Sequence, residues 1–383
     1  MFRFGKEEID AAARVMRSGN LFKTMGPETS ECEDLMRDLF GVKHSILMTS
    51  GKAAIISALT ALGVGPGDEV IVPGYTYIAT AIAVTATGAI PVIAEIDETL
   101  TIDAKDVESK ISKYTKTIIP VHIQGFPSDM DAISKLAEKY KIAVVEDACQ
   151  SDGGSYKGRR LGSIGDAGAF SFNCFKVISA GEGGAFVTDS RQLFERALIF
   201  HDSSAIAYFG NQLDGVSEPQ FCGSEYRTSA ISAAILTAQL KKLDGILKDL
   251  RKNKKIITQA LSGCFEFAPS HDIGGDCGTT LAFRFDSAAG ARKFAESTGG
   301  VLPIDTGKHV YPNWTPVMEK RGAFHPLMDP FKMKANRNLN HNYSLDMCPK
   351  TLDLLSRTVY IGVDPDWTES QIEEKIKNFK SAI

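Results

Sequence analysis

The sequence predicts an α/β protein organised around a parallel, doubly wound sheet. Short apolar runs rich in β-branched residues alternate with helical patterns through the first half of the chain. This alternation is typical of parallel strands joined by crossover helices. The chain has 383 residues, of which 43% are hydrophobic and 23% are charged. This is the composition of a globular protein, and its length allows a large domain together with a smaller one.

Two helices open the chain, and alternating elements follow them. Apolar residues at helical spacing predict helices over 7–18 and 27–40, the second ended by Gly41. The strands predicted after them are 44–49, 70–72, 90–97, 116–123, 142–145 and 167–172, with helices over about 50–62 and 129–141. Strands and helices in this order favour a single large sheet with helices on its faces.

The uncharged stretch over 70–94 is long enough to cross a bilayer. Prolines and glycines interrupt it, at Pro73, Gly74, Gly88 and Pro91, and threonines dilute it. We therefore predict strand, helix and strand within a protein core. The charged N-terminus lacks the apolar segment of a signal peptide, so a membrane location is not expected.

After a glycine-rich turn at Gly181-Glu182-Gly183-Gly184, a strand is predicted over 185–188 and a helix over 192–200. The stretch 201–221 is long, polar and irregular, and we interpret it as part of the substrate entrance or of a subunit contact. A long helix is predicted from Ser229 to about Leu247. These are the last elements predicted before a second pattern begins.

A second pattern of short strands and helices begins at about Asp249. Its predicted elements are 279–285, 288–298, 358–363 and 370–379. This pattern is typical of a smaller α/β unit. We therefore predict a large domain over 1–248 and a small C-terminal domain over 249–383.

Charge and cysteine content exclude several classes of function. The net charge is −4 and no basic block is present, so nucleic-acid binding is unsupported. Seven cysteines are scattered without a C-x-x-C pair, which predicts reduced thiols, a cytoplasmic location and no metal site. His122, near a strand end, is more typical of a structural histidine than of a ligand.

Asp147 and Lys176 carry the predicted chemistry, since each follows an apolar run that reads as a buried strand. Ligands of parallel sheets bind beyond the carboxyl ends of strands, so the two side chains should face one crevice. A lysine can form a Schiff base with an aldehyde cofactor. A carboxylate can pair with the protonated pyridine nitrogen of pyridoxal phosphate (PLP). Either residue alone would indicate a surface lysine or a capping aspartate, but together they favour a PLP site.

The segments around this pair resemble the DegT/StrS family of PLP-dependent sugar aminotransferases. The matching residues are Glu146-Asp147-Ala148-Cys149-Gln150, Gly162-Ser163-Ile164-Gly165-Asp166, Phe170-Ser171-Phe172-Asn173-Cys174-Phe175-Lys176 and Gly181-Glu182-Gly183-Gly184. The resemblance covers almost the whole chain. It implies the type I, aspartate aminotransferase-like fold, with a mostly parallel seven-stranded sheet in the large domain. It also implies a homodimer with shared active sites.

The resemblance implies a role for each matching residue. Lys176 would bind PLP and, once glutamate displaces it as amino donor, would move the proton as general base and acid. Asp147 would keep the pyridine nitrogen protonated, while Gln150 would hydrogen-bond the ring hydroxyl and Ser171 would bind the phosphate. Tyr77 is the expected stacking residue on the pyridine ring, although the pattern alone equally allows a core tyrosine.

Two positions depart from the family pattern. Ser50-Gly51-Lys52 forms a strand-to-helix turn that suits a phosphate, although Ser50 alone would also be typical of a plain helix cap. The family usually has threonine in place of Lys52. It usually has asparagine in place of Glu225, where that amide reaches the phosphate of the neighbouring subunit. We expect Lys52 to pair with Glu225 of the partner subunit beside the phosphate; the alternative is that both are solvated.

The resemblance implies a keto or aldehyde sugar as amino acceptor. Most members act on nucleotide-linked ketosugars. The C-terminal third here looks more like the branch that aminates 8-oxo-3,8-dideoxy-manno-octulosonate, an acidic sugar of lipopolysaccharide. Lys52, Arg227 and Arg337 are candidate cations for that acid. A nucleotide-linked ketohexose is the alternative acceptor. A PLP-dependent sugar dehydrase and a non-catalytic member are further alternatives; Lys176 argues against the dehydrase, because family dehydrases carry histidine there, and the intact site argues against the non-catalytic member.

Overall fold

A computed structural model gives the fold of residues 3–202 and 215–382. The strands are β1 (His44–Met48), β2 (Glu69–Pro73), β3 (Ile90–Ala94), β4 (Thr115–Ile118), β5 (Ala143–Asp147), β6 (Ser155–Tyr156), β7 (Arg159–Arg160), β8 (Ala167–Ser171), β9 (Gly184–Thr188), β10 (Glu266–Phe267), β11 (Thr280–Arg284) and β12 (Thr358–Gly362). The α-helices are α1 (Lys6–Ser18), α2 (Glu28–Phe40), α3 (Gly51–Ala61), α4 (Ala79–Ala86), α5 (Ala104–Lys110), α6 (Met130–Tyr140), α7 (Arg191–His201), α8 (Ala230–Leu261), α9 (Ala288–Thr298), α10 (Thr315–Met318), α11 (Pro349–Ser356) and α12 (Glu369–Ser381).

The main sheet has seven strands in the order β1-β9-β8-β5-β4-β2-β3. Strands β3, β2, β4, β5 and β8 pair in parallel, whereas β9 runs antiparallel to both of its neighbours, β8 and β1. The predicted mostly parallel, seven-stranded sheet of a type I fold is confirmed. Because all strands except β9 point the same way, their carboxyl ends lie at one edge, together with the start of β9.

Capping residues explain why the predicted helix bounds are close to the observed ones. A side-chain oxygen accepts a hydrogen bond from a first-turn amide at Ser50, Asp129 and Ser190. Gly41 ends α2 in the left-handed conformation, with φ of 67°, which glycine adopts without strain. Such caps can be recognised in a sequence, so the predicted and observed ends of these helices differ by about one residue.

The uncharged stretch over 70–94 forms β2, α4 and β3, as predicted. Both strands are buried along their whole length. Helix α4 is short, because Gly88 turns the chain back into β3 with φ of 89°. Within 3–202 and 215–382, no helix combines the length and the apolar character needed to cross a membrane.

Helix α8 is longer than the sequence predicted. It was expected to end at about Leu247, but it continues to Leu261 and has 32 residues. The charged run over 248–255 resembles a boundary, yet Leu250 and Ile257 continue the buried face at helical spacing. The predicted boundary at 248/249 therefore falls inside one continuous helix, and the division into two domains stays a prediction.

A smaller antiparallel sheet, in the order β10-β11-β12, follows α8. It is covered by α9 and α12, whose apolar residues meet the central strand at Phe283, with ring centroids of Phe294 and Phe379 at 4.9 and 5.4 Å. Residues of this sheet and residues of the main sheet, such as Phe170, belong to one continuous apolar cluster that runs along α8. Helix α8 thus connects the two sheets through a shared core.

Residues 203–214 make up most of the stretch that we interpreted as a substrate entrance or subunit contact, and they lie outside the described residues. The residues that follow this stretch, Ser217 and Glu218, are hydrogen-bonded to α7. The carboxylate of Glu195 accepts hydrogen bonds from the amides of Ser217 and Glu218, at 2.9 and 3.1 Å, and from Arg191 Nε at 2.6 Å. This cluster fixes where the chain re-enters the described fold.

Candidate active site

The carboxyl edge of the main sheet gathers most of the residues that the sequence singled out. Asp147 ends β5 and Ser171 ends β8, and these strands are paired, with Asp147 opposite Ala169. The start of α3 lies against them, since a Cβ built on Gly51 would lie 2.8 Å from Ser171 Cβ and 2.5 Å from Cys149 Sγ. A carboxylate, a hydroxyl and a helix N-terminus therefore meet at one place.

Asp147 is buried, and its carboxylate is oriented by two hydrogen bonds. Thr80 Oγ1 donates to Oδ2 at 2.7 Å, and the amide of Cys149 donates to Oδ1 at 3.1 Å. The hydroxyl of Thr76 lies 2.8 Å from that of Thr80 and holds it in place. A carboxylate fixed in this way keeps lone pairs for a further donor, such as a protonated ring nitrogen.

Helix α3 presents free amides to the same edge. Ser50 is the N-cap, and its oxygen accepts from the amide of Ala53 at 3.2 Å, which is compatible with a plain helix cap and with a phosphate site. The hydroxyl proton remains available to a ligand. The amides of Gly51 and Lys52 belong to the first turn, where no intrahelical acceptor exists. A phosphate suits this position because the amides and the helix dipole both favour an anion.

Lys176 lies in the turn between β8 and β9. The side chain of Asn173 accepts from the amide of Phe175 at 3.0 Å, and its carbonyl accepts from the amide of Lys176 at 3.2 Å. This turn leaves Lys176 half-buried while Phe175 is 81% exposed. The charge of Lys176 acts on Cys149 and on His309, so the lysine lies between the sheet edge and a segment of the C-terminal third.

His309 is a site residue that the sequence did not identify. Its ring centroid lies 5.2 Å from that of Tyr77, at 53°. Tyr77 itself is 45% exposed, so it is not a core tyrosine. Burial is the main cause of a lowered pKa at His309, and the charge of Lys176 lowers that pKa further, so both favour the neutral ring. Nothing in the local sequence could have revealed this contact, because it joins residues far apart in the chain.

His309 is held beside Tyr77 by backbone contacts between residues 308–310 and residues 75–78. The amide of Thr76 donates to the carbonyl of His309 at 3.0 Å, and the amide of Ile78 donates to that of Lys308 at 2.9 Å. Tyr75 and Val310 form an antiparallel β-bridge. A short segment of the C-terminal third is therefore fastened directly onto the loop after β2, beside Tyr77.

Gln150 lies in the loop after Asp147, where its side-chain oxygen accepts from the amide of Gln124 at 3.3 Å. The amide nitrogen of Gln150 stays available as a donor. Glu146 plays a structural part, because it accepts from the amides of Gly162 and Ile164 and lies 3.0 Å from the ring nitrogen of His122. His122 is fully buried, which confirms the structural interpretation of that histidine.

Glu225 and Lys52 were expected to pair across subunits. Within the chain, Glu225 instead forms an ion pair with Arg227 Nη1 at 2.8 Å, and Arg227 also binds Asp202. Lys52 is exposed, and no ion pair of it is found among the described residues. The amide of Thr49 donates to the carbonyl of Tyr226 at 2.9 Å, so this segment borders the phosphate turn. The pairing between subunits stays a prediction.

Two of the three candidate cations for an acidic sugar are poorly suited to that role. Arg227 is already compensated by the two carboxylates that contact it. Arg337 follows Asn336, whose side chain binds the amide of Gly67 and the carbonyl of Gly88. Those glycines precede β2 and β3, so Arg337 is placed near the opposite edge of the sheet. Lys52 remains at the site.

The residues at this edge fit PLP by their chemistry. They offer a buried carboxylate with free lone pairs, a lysine, a hydroxyl at a strand end and the open amides of a helix. The tight contact of Gly51 with Ser171 leaves the helix start as a cradle without side chains. Each group of the cofactor therefore has a matching partner: the ring nitrogen, the aldehyde and the phosphate.

A seven-stranded, mostly parallel sheet with a lysine, an aspartate and a phosphate cradle at its carboxyl edge defines a type I PLP-dependent aminotransferase. A sequence model of the DegT/DnrJ/EryC1/StrS aminotransferase family matches residues 3–282, and the chain belongs to this family. It is a PLP-dependent sugar aminotransferase, as the motifs predicted.

Solved structures of similar proteins cover the chain almost completely. The aminotransferase from Psychrobacter cryohalolentis is 25% identical, with 99% of this chain and 97% of that one covered and a TM-score of 0.81. DesV from S. venezuelae is 27% identical, with coverage of 98% and 94% and a TM-score of 0.78. GDP-4-keto-6-deoxy-D-mannose-3-dehydratase from E. coli, solved with bound hydrated PLP, is 20% identical, with coverage of 99% and 98% and a TM-score of 0.81. The last similarity concerns the fold alone.

Proposed function

We propose that this aminotransferase takes the amino group of L-glutamate and gives it to the carbonyl carbon of an acidic keto or aldehyde sugar. The observation that carries the assignment of the site is the convergence of Asp147, Ser171, Lys176 and the start of α3 at one sheet edge. When bound, PLP supplies the electron sink that makes the α-proton of the donor acidic.

The residues of the chain divide the work around the cofactor. Asp147, fixed by Thr80, would accept the hydrogen bond of the ring nitrogen and keep that nitrogen protonated. Ser171 and the first amides of α3 would bind the phosphate. Lys176 would carry the proton from the α-carbon of the donor and return it to the cofactor side, as a general base and then an acid. Tyr77 would stack on the ring.

The absorption spectrum of the purified protein tests this assignment. We expect a visible or near-ultraviolet band of lysine-bound PLP in the wild-type protein and its loss in Lys176→Met. Addition of glutamate should convert the band to that of the aminated cofactor in the wild type only. Lys105→Met is the matched control, because Lys105 is an exposed lysine on α5, and it should behave as the wild type. A Lys176→Met protein that keeps the wild-type band would contradict the role of Lys176.

We propose 8-oxo-3,8-dideoxy-manno-octulosonate as the acceptor, in the synthesis of a lipopolysaccharide sugar. Exposed positive charge beside the candidate site supports an acidic acceptor. Lys308 adjoins His309 and is exposed, with no ion pair among the described residues. Together with Lys52 it offers positive charge to a sugar acid.

The same absorption band identifies the acceptor. Glutamate first removes the band of lysine-bound PLP, and a sugar that accepts the amino group then restores it. We expect restoration by 8-oxo-octulosonate and not by a nucleotide-linked ketohexose; the reverse result would favour the alternative acceptor. Lys308→Ala should raise KM for the sugar acid by about tenfold at similar kcat, the effect of losing one charged hydrogen bond. Lys334→Ala, another exposed lysine, should leave KM unchanged.

A dehydration reaction is the second candidate, because the fold is shared with a dehydratase. Lys176 favours amino transfer, since a lysine amine can bind the aldehyde of the cofactor and be displaced by an amino donor. The two reactions differ in their products. Transfer leaves the nitrogen of glutamate in the sugar product, whereas removal of a sugar hydroxyl through the aminated cofactor leaves a deoxy sugar without nitrogen and releases that nitrogen as ammonia. A nitrogen-free deoxy sugar formed together with free ammonia would favour the dehydratase.

We further propose a cytoplasmic homodimer whose two active sites each include residues of the partner. The seven cysteines are all free thiols, which favours a reducing compartment. Light scattering of the purified protein should give twice the chain mass of 41.5 kDa. In the dimer, Lys52→Ala and Glu225→Ala should each weaken PLP binding if the predicted pair exists. Their effects should then be non-additive in the double variant.

A further inference from the structure

A cavity of about 750 Å³ lies between the second half of α8 and the smaller sheet, and the function proposed above gives it no role. Cavities of about 300–1,000 Å³ are typical of sites for small molecules. Phe126, Phe267 and Ala282 give this cavity apolar walls. Ile273 also lines it, with a side chain that is 83% exposed. The cavity therefore offers apolar surface that the ring of a ligand can cover.

The cavity is a different place from the cofactor site, although the turn Ile123–Gly125 connects the two. Within this turn, the amide of Gln124 donates to the side-chain oxygen of Gln150, on the cofactor side. Phe126, directly after the turn, belongs to the cavity wall. Of the residues that the structure describes, those lining the cavity include none that we assign to PLP. A molecule in this cavity would therefore be bound apart from the cofactor.

The lining of the cavity carries more positive than negative charge. Arg251, Lys254 and Lys255 are its cations, and Asp276 is its carboxylate, so the surplus is two positive charges. Lys254 Nζ lies 2.6 Å from Asp276 Oδ2, which compensates one cation. Arg251 donates to the main-chain carbonyls of Asp276 and Gly275, and neither it nor the exposed Lys255 forms an ion pair within the described ranges. Two cations therefore remain for an anionic group.

Two of the three cations are held in fixed positions. Lys254 Nζ lies over the ring of Phe126, 4.7 Å from its centroid, while it contacts the buried Asp276. The contacts of Arg251 use Nε and Nη2, at 2.6 and 3.3 Å, and leave the donors of Nη1 available. Lys255 follows Arg251 by one helical turn, so both can reach the same anion. Groups that are already ordered lose little entropy when a ligand binds.

We propose that this cavity binds a small aromatic anion, with its ring against Phe126 and Phe267 and its negative group beside Arg251 and Lys255. A ring without charge would leave the two cations uncompensated. A small inorganic anion would leave the apolar walls exposed to water. A ligand with both parts covers the walls and meets the guanidinium donors, which suit carboxylate and phosphate groups. This site is additional to the proposed aminotransferase function.

Calorimetric titration of the cofactor-loaded enzyme with 2-naphthoate tests the site. We expect one molecule to bind per chain. Binding should be at least tenfold tighter than that of 2-naphthylmethanol, which keeps the ring and lacks the charge, because hydrogen bonds to charged groups are the stronger ones. It should also be at least tenfold tighter than that of inorganic phosphate, which keeps the charge and lacks the ring.

A charge reversal at the cavity identifies where 2-naphthoate binds. Lys255→Glu should weaken its binding by about tenfold or more, because a carboxylate then faces the anionic group. The side chain of Lys255 is exposed, so the change leaves the packing of α8 intact. Lys293→Glu is the matched control, since Lys293 is an exposed lysine on α9 outside the cavity lining and the change in net charge is the same. It should bind 2-naphthoate as the wild type does.

A preference for 2-naphthoate over both partial probes, lost in Lys255→Glu and kept in Lys293→Glu, supports the site. Absence of binding overturns the inference, and so does equal binding of the uncharged ring. Binding that Lys255→Glu does not weaken, or that both variants weaken equally, places the probe elsewhere and also overturns it. Lys176→Met should bind 2-naphthoate normally, so failure of the proposed catalytic role leaves this test unaffected.

Discussion

Asp147 is oriented by a threonine from a different part of the chain. Thr80 lies 67 positions earlier, at the start of α4, and its hydroxyl reaches Oδ2 at 2.7 Å. The sequence identified Asp147, because a carboxylate after a strand leaves a local pattern. It could not identify Thr80 or His309, because contacts between distant segments leave no such pattern. At this scale, therefore, the groups that would react with the cofactor could be predicted and the groups that hold them could not.

Thr80→Val should lower kcat by about tenfold while PLP remains bound. Valine has the shape of threonine but removes one of the two donors to Asp147, and a lost hydrogen bond to a charged group costs about 1.5 kcal/mol or more. Steady-state kinetics and the spectrum of bound PLP measure this. Thr85→Val is the control on the same helix, because the hydroxyl of Thr85 only bonds the carbonyl of Ile82. Equal kcat values for the two variants would contradict the role of Thr80.

At the scale of elements, the turn from β1 into α3 is the best-predicted part of the site. Strand, small residues and helix are readable in order, and the Ser50 cap could be expected from the residue type. The tight packing of Gly51 could not be expected from the sequence, because it depends on β8 and on Cys149. The end of α8 was predicted less well, because a charged run suggested a boundary where the buried apolar face of the helix continues. Local signals predict how an element begins better than where tertiary packing lets it end.

Gly51→Ala should weaken PLP binding by about tenfold or more. The added methyl group would lie within 2.8 Å of Ser171 Cβ and closer still to Cys149 Sγ, so α3 has to move away from β8. Overpacking of this kind costs about 1–3 kcal/mol. Equilibrium titration with PLP measures the change.

Gly245→Ala is the control for that experiment. Gly245 lies in the middle of α8, and no atom is within 4 Å of its added Cβ. It should bind PLP normally and should stabilise the helix by about 0.5–1 kcal/mol, because alanine has the higher helix propensity. Normal PLP affinity in Gly51→Ala would show that the phosphate cradle lies elsewhere.

At the scale of the whole molecule, one helix and one buried carboxylate hold separate parts together. Helix α8 joins the two sheets through a shared apolar cluster. Glu195 fastens the segment at 217–218 to α7. The sequence predicted the two units but not these links, because a buried glutamate in a helix looks like any surface glutamate until its partners are known. Of these two links, the one through Glu195 depends on pH, because a carboxylate titrates in acid.

Glu195→Gln should lower the free energy of unfolding at pH 7 by about 3 kcal/mol at most. Burial would raise the pKa of Glu195, but hydrogen bonds from Arg191, Ser217 and Glu218 outweigh it and lower the pKa to about 2. The stabilisation is therefore complete above pH 4.5, the ordinary value, and is lost as the pH falls from there towards 2. Urea unfolding at pH 7 and pH 3 should show a difference between variant and wild type that shrinks in acid.

The matched control is Glu108→Gln, which removes an exposed carboxylate paired with Lys139. It should change stability little at either pH, because exposed ion pairs contribute little. A pH-independent loss in Glu195→Gln would mean that the charge of Glu195 is not what stabilises the fold.

The segment at 308–311, fastened onto the loop after β2, has a consequence for how such an enzyme can change over evolutionary time. The residues proposed to handle the amino group come from one stretch of the gene, and His309 and Lys308 come from another. The second stretch is joined to the loop after β2 mainly by main-chain hydrogen bonds, with the ring contact of His309 and Tyr77 beside them. Main-chain contacts tolerate replacement of the side chains they carry. On the proposed contact of Lys308 with the acceptor, changes in the late part of the gene could exchange one sugar for another while the chemistry of the earlier stretch is kept.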